Sequence, residues 1–366
     1  MTDKLRVGMI GMGLIAALGH VPRLRATGRA EIVAACRRNP AKLAMASEAL
    51  GIPQTYTDWR EMLERAPLDA VVVAAPIGRH AEPTIAALQR GLHVLVEKPL
   101  ALASRDAHAM ADAAGRSGRV LMAAYEPRFG GTWRTVKRLV SDGALGRLRQ
   151  ISLTLQTYRR WKWKPELTPP DHEATMRKLA EDGGVPVSLF DEWGQASHSD
   201  RGQVGAGTFV DTAVHQLDLV LWIAQAPPVV VAAFTEAAGM PVECFVNAQA
   251  RLANGVLLSV TSADAVPGGI FSGSQQIMIV GDDALILRDR DGSLWLKCPG
   301  GTEKIEATVA GSDPDADFVS AVLDGAENTC PPDEAAWSVA LVEAVYRSAQ
   351  EGRIVQTGYP MAATDG

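Results

Sequence analysis

Arg6-Val7-Gly8-Met9-Ile10-Gly11-Met12-Gly13-Leu14-Ile15-Ala16 is the stretch that decides the fold. Its first half reads as a short apolar strand, and its second half runs G-x-G-x-x-A into an apolar helical segment. In this pattern Gly11 allows the tight turn, Gly13 lets backbone approach a pyrophosphate, and small Ala16 lets the helix pack close to the strand. The helix amino terminus at Leu14 and Ile15 then offers N–H groups and a positive dipole end to phosphate. A lone match of this kind is weak. Here a strand precedes it, a helix follows it, and a second strand over 31–36 comes at the expected distance, which makes the stretch a dinucleotide site.

Working outward, short apolar strands are expected at 7–10, 32–36, 70–74, 94–96 and 120–124. Helical stretches alternate with them at 41–50, 59–64, 82–90 and 104–117. This alternation predicts a doubly wound, mostly parallel α/β sheet over residues 1–124. A helix over 132–141 then hands over to a different texture. Longer β-rich segments follow at 148–157, 229–237, 244–252, 256–263, 275–280, 284–288 and 293–298, interrupted by a helix over 207–224. Helices over 316–323 and 335–350 close the chain.

The chain has 366 residues, 47% of them hydrophobic, and a net charge of −6, which suits two soluble domains. No basic stripe runs along it, so no nucleic-acid partner is expected. Its four cysteines show no C-x-x-C spacing and fit a reducing cytoplasm rather than a zinc site or disulfide scaffold. The first strand starts by Leu5, so no signal peptide is expected, and no apolar run is long enough to span a bilayer. The expectation is a cytoplasmic protein with no membrane partner and no metal.

Two motifs suggest chemistry. Glu97-Lys98-Pro99 closes the apolar strand His93-Val94-Leu95-Val96. Ligands of open α/β sheets gather at the carboxyl ends of strands, so the Lys98 ammonium can favour the alkoxide that forms during hydride transfer. Read alone, Lys98 also fits a solvated charge. Asp211-Thr212-Ala213-Val214-His215 follows the glycine-rich Gly205-Ala206-Gly207, and its i, i+4 spacing puts Asp211 and His215 on one helical face. Histidine can take a proton from a hydroxyl near neutral pH, and an adjacent carboxylate can orient the substrate. Such a pair also fits a capping or core hydrogen-bond pair.

Together, the glycine turn, Ala75-Pro76-Ile77-Gly78-Arg79-His80, Glu97-Lys98-Pro99, and Gly207 through Asp211, His215 and Asp218 resemble the Gfo/Idh/MocA oxidoreductase family. The order and spacing match nearly end to end, including Val345-Tyr346-Arg347-Ser348-Ala349 before Gly352. The resemblance implies a Rossmann domain over 1–124 and an α+β domain with a large, predominantly antiparallel sheet over 125–366. The second domain would bind substrate and support oligomerisation, and its C-terminal segment has the option of packing back on the first. The resemblance also implies NAD(P)-linked oxidation of a secondary alcohol on a sugar, polyol or related compound. By motif position, Lys98 resembles the catalytic lysine, Asp211 the substrate-binding aspartate and His215 the general acid/base. Lys98-Pro99 resembles a bond often cis in the family. Ala75, Pro76, His80 and Glu97 fall at cofactor positions, although Pro76 and His80 equally fit a turn proline and a helix-start histidine.

The chain departs from the pattern twice. After the second strand it reads Ala35-Cys36-Arg37-Arg38, with no acid to hold ribose hydroxyls. Guanidinium groups at Arg37 and Arg38 suit a 2′-phosphate, so NADP is expected, with NAD as the alternative if both are solvated loop charges. The second departure is Tyr158-Arg159-Arg160-Trp161-Lys162-Trp163-Lys164. If the strand continues, Arg159, Trp161 and Trp163 share one face as substrate-binding residues, and Arg160, Lys162 and Lys164 share the other. Such residues suit an anionic sugar, though a solvated edge or subunit contact fits as well. Residues 161–205 are polar and broken by prolines, as in a functional loop or an insertion with its own short helices. His172, His198 and Asp200 are further candidates within it.

The reading is therefore an NADP-preferring dehydrogenase or reductase of a sugar or cyclic polyol, forming a homodimer or homotetramer that covers the large sheet. One rival is a redox-assisted glycosidase or lyase that recycles bound cofactor. The other is a nonenzymatic NAD(P)-responsive regulator, against which the joint presence of Lys98, Asp211 and His215 speaks.

Overall fold

A computed structural model of the chain describes residues 4–190, 207–264 and 273–361. Strand β1 (Leu5–Ile10) is buried at five of its six positions, as a central strand of a parallel sheet covered on both faces must be. It is joined by β2 (Ala30–Cys36), β3 (Gln54–Tyr56), β4 (Ala70–Val73), β5 (His93–Val96) and β6 (Leu121–Ala123). The sheet order is β3-β2-β1-β4-β5-β6, parallel throughout. The order reverses between β1 and β4, and ligands of such sheets bind at the carboxyl ends beside that reversal. Strand β3 has only three residues, too few to show a period in the sequence.

A second sheet contains β7 (Leu148–Thr157), β8 (Pro228–Glu236), β9 (Phe245–Leu252), β10 (Leu257–Asp264) and β11 (Gly273–Gly281). It continues with β12 (Leu285–Arg288), β13 (Leu294–Cys298), β14 (Gly301–Lys304) and β15 (Val355–Gln356). The order is β14-β13-β12-β11-β7-β10-β9-β8-β15, antiparallel except where β10 lies parallel to β7. Alternate residues of β9 and β10 are buried, among them Val246, Ala248, Leu252, Leu258 and Val260. Their neighbours Asn247, Gln249, Arg251 and Thr261 stay exposed, so one face of the sheet is polar. The exposed β14 and the two-residue β15 carry no such alternation, and the sequence gives no sign of either.

Contacts divide the described chain into two units. One takes in residues up to Tyr125, 170–190 and Asp313–Ala336; the other holds Glu126–Pro169, 207–312 and the chain from Trp337 onward. The boundary expected after residue 124 therefore marks only the first crossing between units. Long-range hydrogen bonds explain why 313–336 belongs to the first unit. The Asn328 side chain donates to the Leu121 carbonyl and the Ala123 amide donates to the Cys330 carbonyl, which satisfies the otherwise open edge of β6.

Within 161–190 the chain forms short helical pieces: the turns Arg160–Lys162, Pro165–Leu167 and Val187–Phe190, and the helix His172–Asp182. His198 and Asp200 lie outside the described residues. Among the described residues, no helix is long and apolar enough to cross a membrane.

Candidate active site

The first unit supplies a set of turns at neighbouring strand ends. After β1, Gly11 has φ +97°, and a Cβ there would meet the Ala74 carbonyl and Ala75 nitrogen at 2.6 Å. Only glycine fits this approach of the β1 and β4 turns. A Cβ at Gly13 would meet nothing in the protein within 4 Å. The fold itself does not require glycine there, whereas close approach of a pyrophosphate does. The helix that follows brings Leu14 and Ile15 into its first turn, and apolar Ile15 is 47% exposed at this mouth. These features fit a dinucleotide.

This helix contains a π turn, Ala16–His20, closed by the Val21 amide on the Ala16 carbonyl. Pro22 lies just beyond it and has no N–H to donate, so the wider turn accommodates the missing bond. At the end of β2, the Arg37 guanidinium donates to the Met12 carbonyl at 2.8 Å, which ties it to the glycine turn, while Arg38 is exposed.

Lys98 is half-buried beyond the end of β5, and the Lys98–Pro99 bond is cis. The Lys98 amide donates to Glu97 Oε2 at 3.0 Å. Pro76 opens the turn Ile77–Arg79 after β4. His80 is 1% exposed, with Nε2 2.8 Å from the Ala75 carbonyl and Nδ1 3.0 Å from the Pro99 carbonyl. It straps the β4 turn to the β5 turn, so its ring is engaged with protein on both sides. Burial pushes its pKa down, although the carbonyl oxygens favour its charged form.

In the second unit a π turn, Phe209–Ala213, leads into the helix Val214–Ala224. Asp211 and His215 stay half-buried while Phe209, Val210, Ala213 and Val214 go to the interior. Glu243 anchors the start of this segment by accepting the Gly207 amide at 2.9 Å, the Phe209 amide at 3.0 Å and the Tyr346 hydroxyl at 2.9 Å. Burial pushes the Glu243 carboxyl up, against these donors. Gly207 is required here, since a Cβ would meet Glu243 Oε2 at 2.6 Å.

The strand expected to run through 159–163 ends at Thr157, which corrects the expected alternation. The chain coils into the turn Arg160–Lys162 because the buried Asp264 captures it: Oδ1 accepts the Thr157 hydroxyl at 3.1 Å and the Arg159 amide at 2.5 Å. Trp161 is consequently 1% exposed and offers no face for a sugar to stack on. Lys162, expected on the opposite face, instead reaches Asp211 Oδ2 at 2.6 Å. Arg159 and Trp163 are half-buried. Burial lowers the Arg159 pKa, opposed by the charges of Asp211 and Asp264.

Two residues beside these turns, His20 and Glu243, escape sequence reasoning, as does the pairing of Lys162 with Asp211. His20 could be suspected as the one polar side chain in an apolar helical run. Glu243 and Lys162 meet their partners only through long-range packing, which no local pattern marks.

A model described as an oxidoreductase family with an NAD-binding Rossmann fold matches residues 5–125, and the model of the Gfo/Idh/MocA C-terminal domain matches residues 133–287. The chain belongs to the Gfo/Idh/MocA oxidoreductase family. It is 28% identical over 228 residues to D-glucoside 3-dehydrogenase of Escherichia coli (strain K12), covering 62% of this chain and 56% of that protein. It is 25% identical over 364 residues to 1,5-anhydro-D-fructose reductase of Ensifer adhaerens, covering 96% of this chain and 99% of that protein. The chain spans about half the length of several of the curated relatives it matches. Among solved structures, an oxidoreductase domain protein from Kribbella flavida superposes with a TM-score of 0.80 at 22% identity, over 98% of this chain and 100% of that one. At that identity the likeness concerns the fold. The Gfo/Idh/MocA Rossmann match ends at Tyr125, where the chain first leaves the first unit.

Proposed function

We propose that this protein transfers a hydride between a secondary alcohol of a sugar or cyclic polyol and a nicotinamide cofactor, NADP in preference to NAD. The observation that carries the reading is the row of turns at the carboxyl ends of three adjacent strands: Gly11-Met12-Gly13 after β1, Ala75-Pro76 after β4 and Glu97-Lys98-Pro99 after β5. The names of the glucoside dehydrogenase and the anhydrofructose reductase support a sugar or polyol as substrate.

A bound nicotinamide would supply the hydride acceptor or donor. Lys98 donates to the substrate oxygen on which negative charge develops. His215 takes the hydroxyl proton or returns it, according to direction. Asp211, held by Lys162, accepts from a neighbouring hydroxyl and fixes orientation. Arg159, under the influence of the Asp211 charge, extends the reading to an anionic sugar. Lys162→Met is expected to raise KM about tenfold with a smaller change in kcat, because it removes a charge-assisted hydrogen bond from the orienting carboxylate. Steady-state kinetics check this, and an unchanged KM would assign the pair to folding alone.

The cofactor is tested by titrating NADPH and NADH separately against the purified protein. NADPH is expected to bind tighter, and Arg37→Asp to weaken NADPH by about tenfold or more while sparing NADH. Tighter NADH binding would overturn the NADP preference. Activity is tested with a panel of sugars and polyols, following nicotinamide absorbance and substrate consumption together. Substrate consumed without net nicotinamide change would move the reading to a recycled bound cofactor.

A further inference from the structure

His20 ends the π turn of the glycine-turn helix and is 1% exposed. Its Nδ1 lies 2.8 Å from Oδ1 of Asp315, which is 0% exposed, and its Nε2 lies 3.2 Å from Oε1 of Glu97. A carboxylate only accepts, and a neutral imidazole has one N–H to give, so serving both carboxylates takes the doubly protonated ring. Glu97 uses its other oxygen to accept the Lys98 amide at 3.0 Å. A chain of hydrogen bonds thus runs from the helix Pro314–Asp324, through the glycine-turn helix, to the backbone of Lys98. Burying three ionisable groups together carries a desolvation penalty that an apolar cluster of similar volume avoids. What the polar arrangement adds is a fixed orientation of Glu97.

We propose that His20 is a positioning residue for Lys98: by holding Glu97 in one rotamer against Asp315, it fixes the backbone turn that presents the Lys98 ammonium. Its consequence for turnover rests on the hydride-transfer reading, whereas the hydrogen-bond chain can be observed without any reaction. The charged and titratable groups around it are Asp315 on the helix Pro314–Asp324 and Glu97 at the end of β5, with Lys98 and His80 near Glu97. Burial alone would strip the His20 proton. Asp315 and then Glu97 outweigh it and raise the pKa from 6.5 to about 10. Because the folded value is the higher one, the proton's contribution to stability is complete below pH about 6.5 and is lost as pH rises toward about 10.

The test uses His20→Gln, which keeps N–H donors but no charge. Lys98 amide hydrogen exchange is expected to speed up by about tenfold or more, with residues 94–96 of β5 keeping their protection. Ring-labelled histidine NMR of the unaltered protein is expected to show both His20 nitrogens protonated at neutral pH. With a sugar that turns over, kcat is expected to fall by about tenfold to a hundredfold with a smaller change in KM. Adding Glu97→Gln to His20→Gln should cost little more, because both break one chain. Unchanged Lys98 exchange, a neutral His20 ring at neutral pH, or fully additive losses in the double variant would each overturn the proposal. If His20→Gln does not fold, Asp315→Asn, at the far end of the chain, is read in the same way. Faster Lys98 exchange without turnover of any sugar would sink the hydride-transfer reading and leave the positioning role standing.

Discussion

Replacing Lys98 by methionine is expected to lower kcat by about a hundredfold to a thousandfold, with kcat/KM falling by a similar factor. Methionine keeps an unbranched stem of comparable length and removes only the ammonium. The local backbone should survive the change, because it is held from elsewhere: Glu97 accepts the residue-98 amide, and His80 holds the Pro99 carbonyl. A parallel loss in kcat and kcat/KM marks an interaction made in the transition state rather than in substrate binding. Lys98→Arg should recover only part of the rate, since a planar guanidinium cannot place its charge where an ammonium does. Steady-state kinetics on any substrate from the sugar panel decide this. A kcat close to that of the unaltered protein would return Lys98 to the solvated charge that the isolated motif also allows.

The second large effect concerns stability. Arg128→Met is expected to destabilise the protein by about 3–5 kcal/mol, because it takes two charge-assisted hydrogen bonds from a buried carboxylate. Arg128 and Asp218 are 0% and 1% exposed, and the guanidinium grips both carboxylate oxygens, Nε at 2.7 Å and Nη2 at 2.8 Å. It also lies 5.7 Å from the ring centre of Trp222. Asp218 sits in the helix Val214–Ala224 among buried Leu217, Leu219, Val220 and Leu221, so without Arg128 its charge has no route to water. The double variant Arg128→Met/Asp218→Leu should regain most of the loss, since apolar side chains of similar volume remove the buried charge altogether. Urea denaturation of the three proteins measures both quantities. A single-variant loss below about 1 kcal/mol would mean that the ion pair contributes no more than a surface one.

The glycine turn, β1 and β2, and the end of β5 were legible because each is a local pattern: glycines where backbone must approach backbone or ligand, and unbroken apolar runs where a strand is covered on both faces. Strands β7 to β13 of the second sheet could be read for a similar reason, since alternate residues of β9 and β10 face the core. Asp211 and His215 are marked by their spacing, and both stay half-buried, Asp211 in the π turn and His215 in the α-helix that follows it. Reading failed where a distant group redirected the chain. Residues 159–163 carry a strand-like alternation, yet Asp264, about a hundred positions away, captures the Arg159 amide and coils them into a turn.

By itself, then, the sequence determined the Rossmann unit and the family pattern, and marked Lys98, Asp211 and His215 as candidates, because period, turn chemistry and motif spacing are properties of neighbouring residues. Only the tertiary structure decided that Trp161 is buried while Lys162 meets Asp211, that Glu243 anchors the Gly207 segment, and that residues 313–336 belong to the first unit. It alone joined His20 to Asp315 across 295 positions of chain. The physical reason is shared by all of these. A buried charge or hydrogen-bonding group must find a partner wherever packing supplies one, and the sequence distance to that partner carries no local signal.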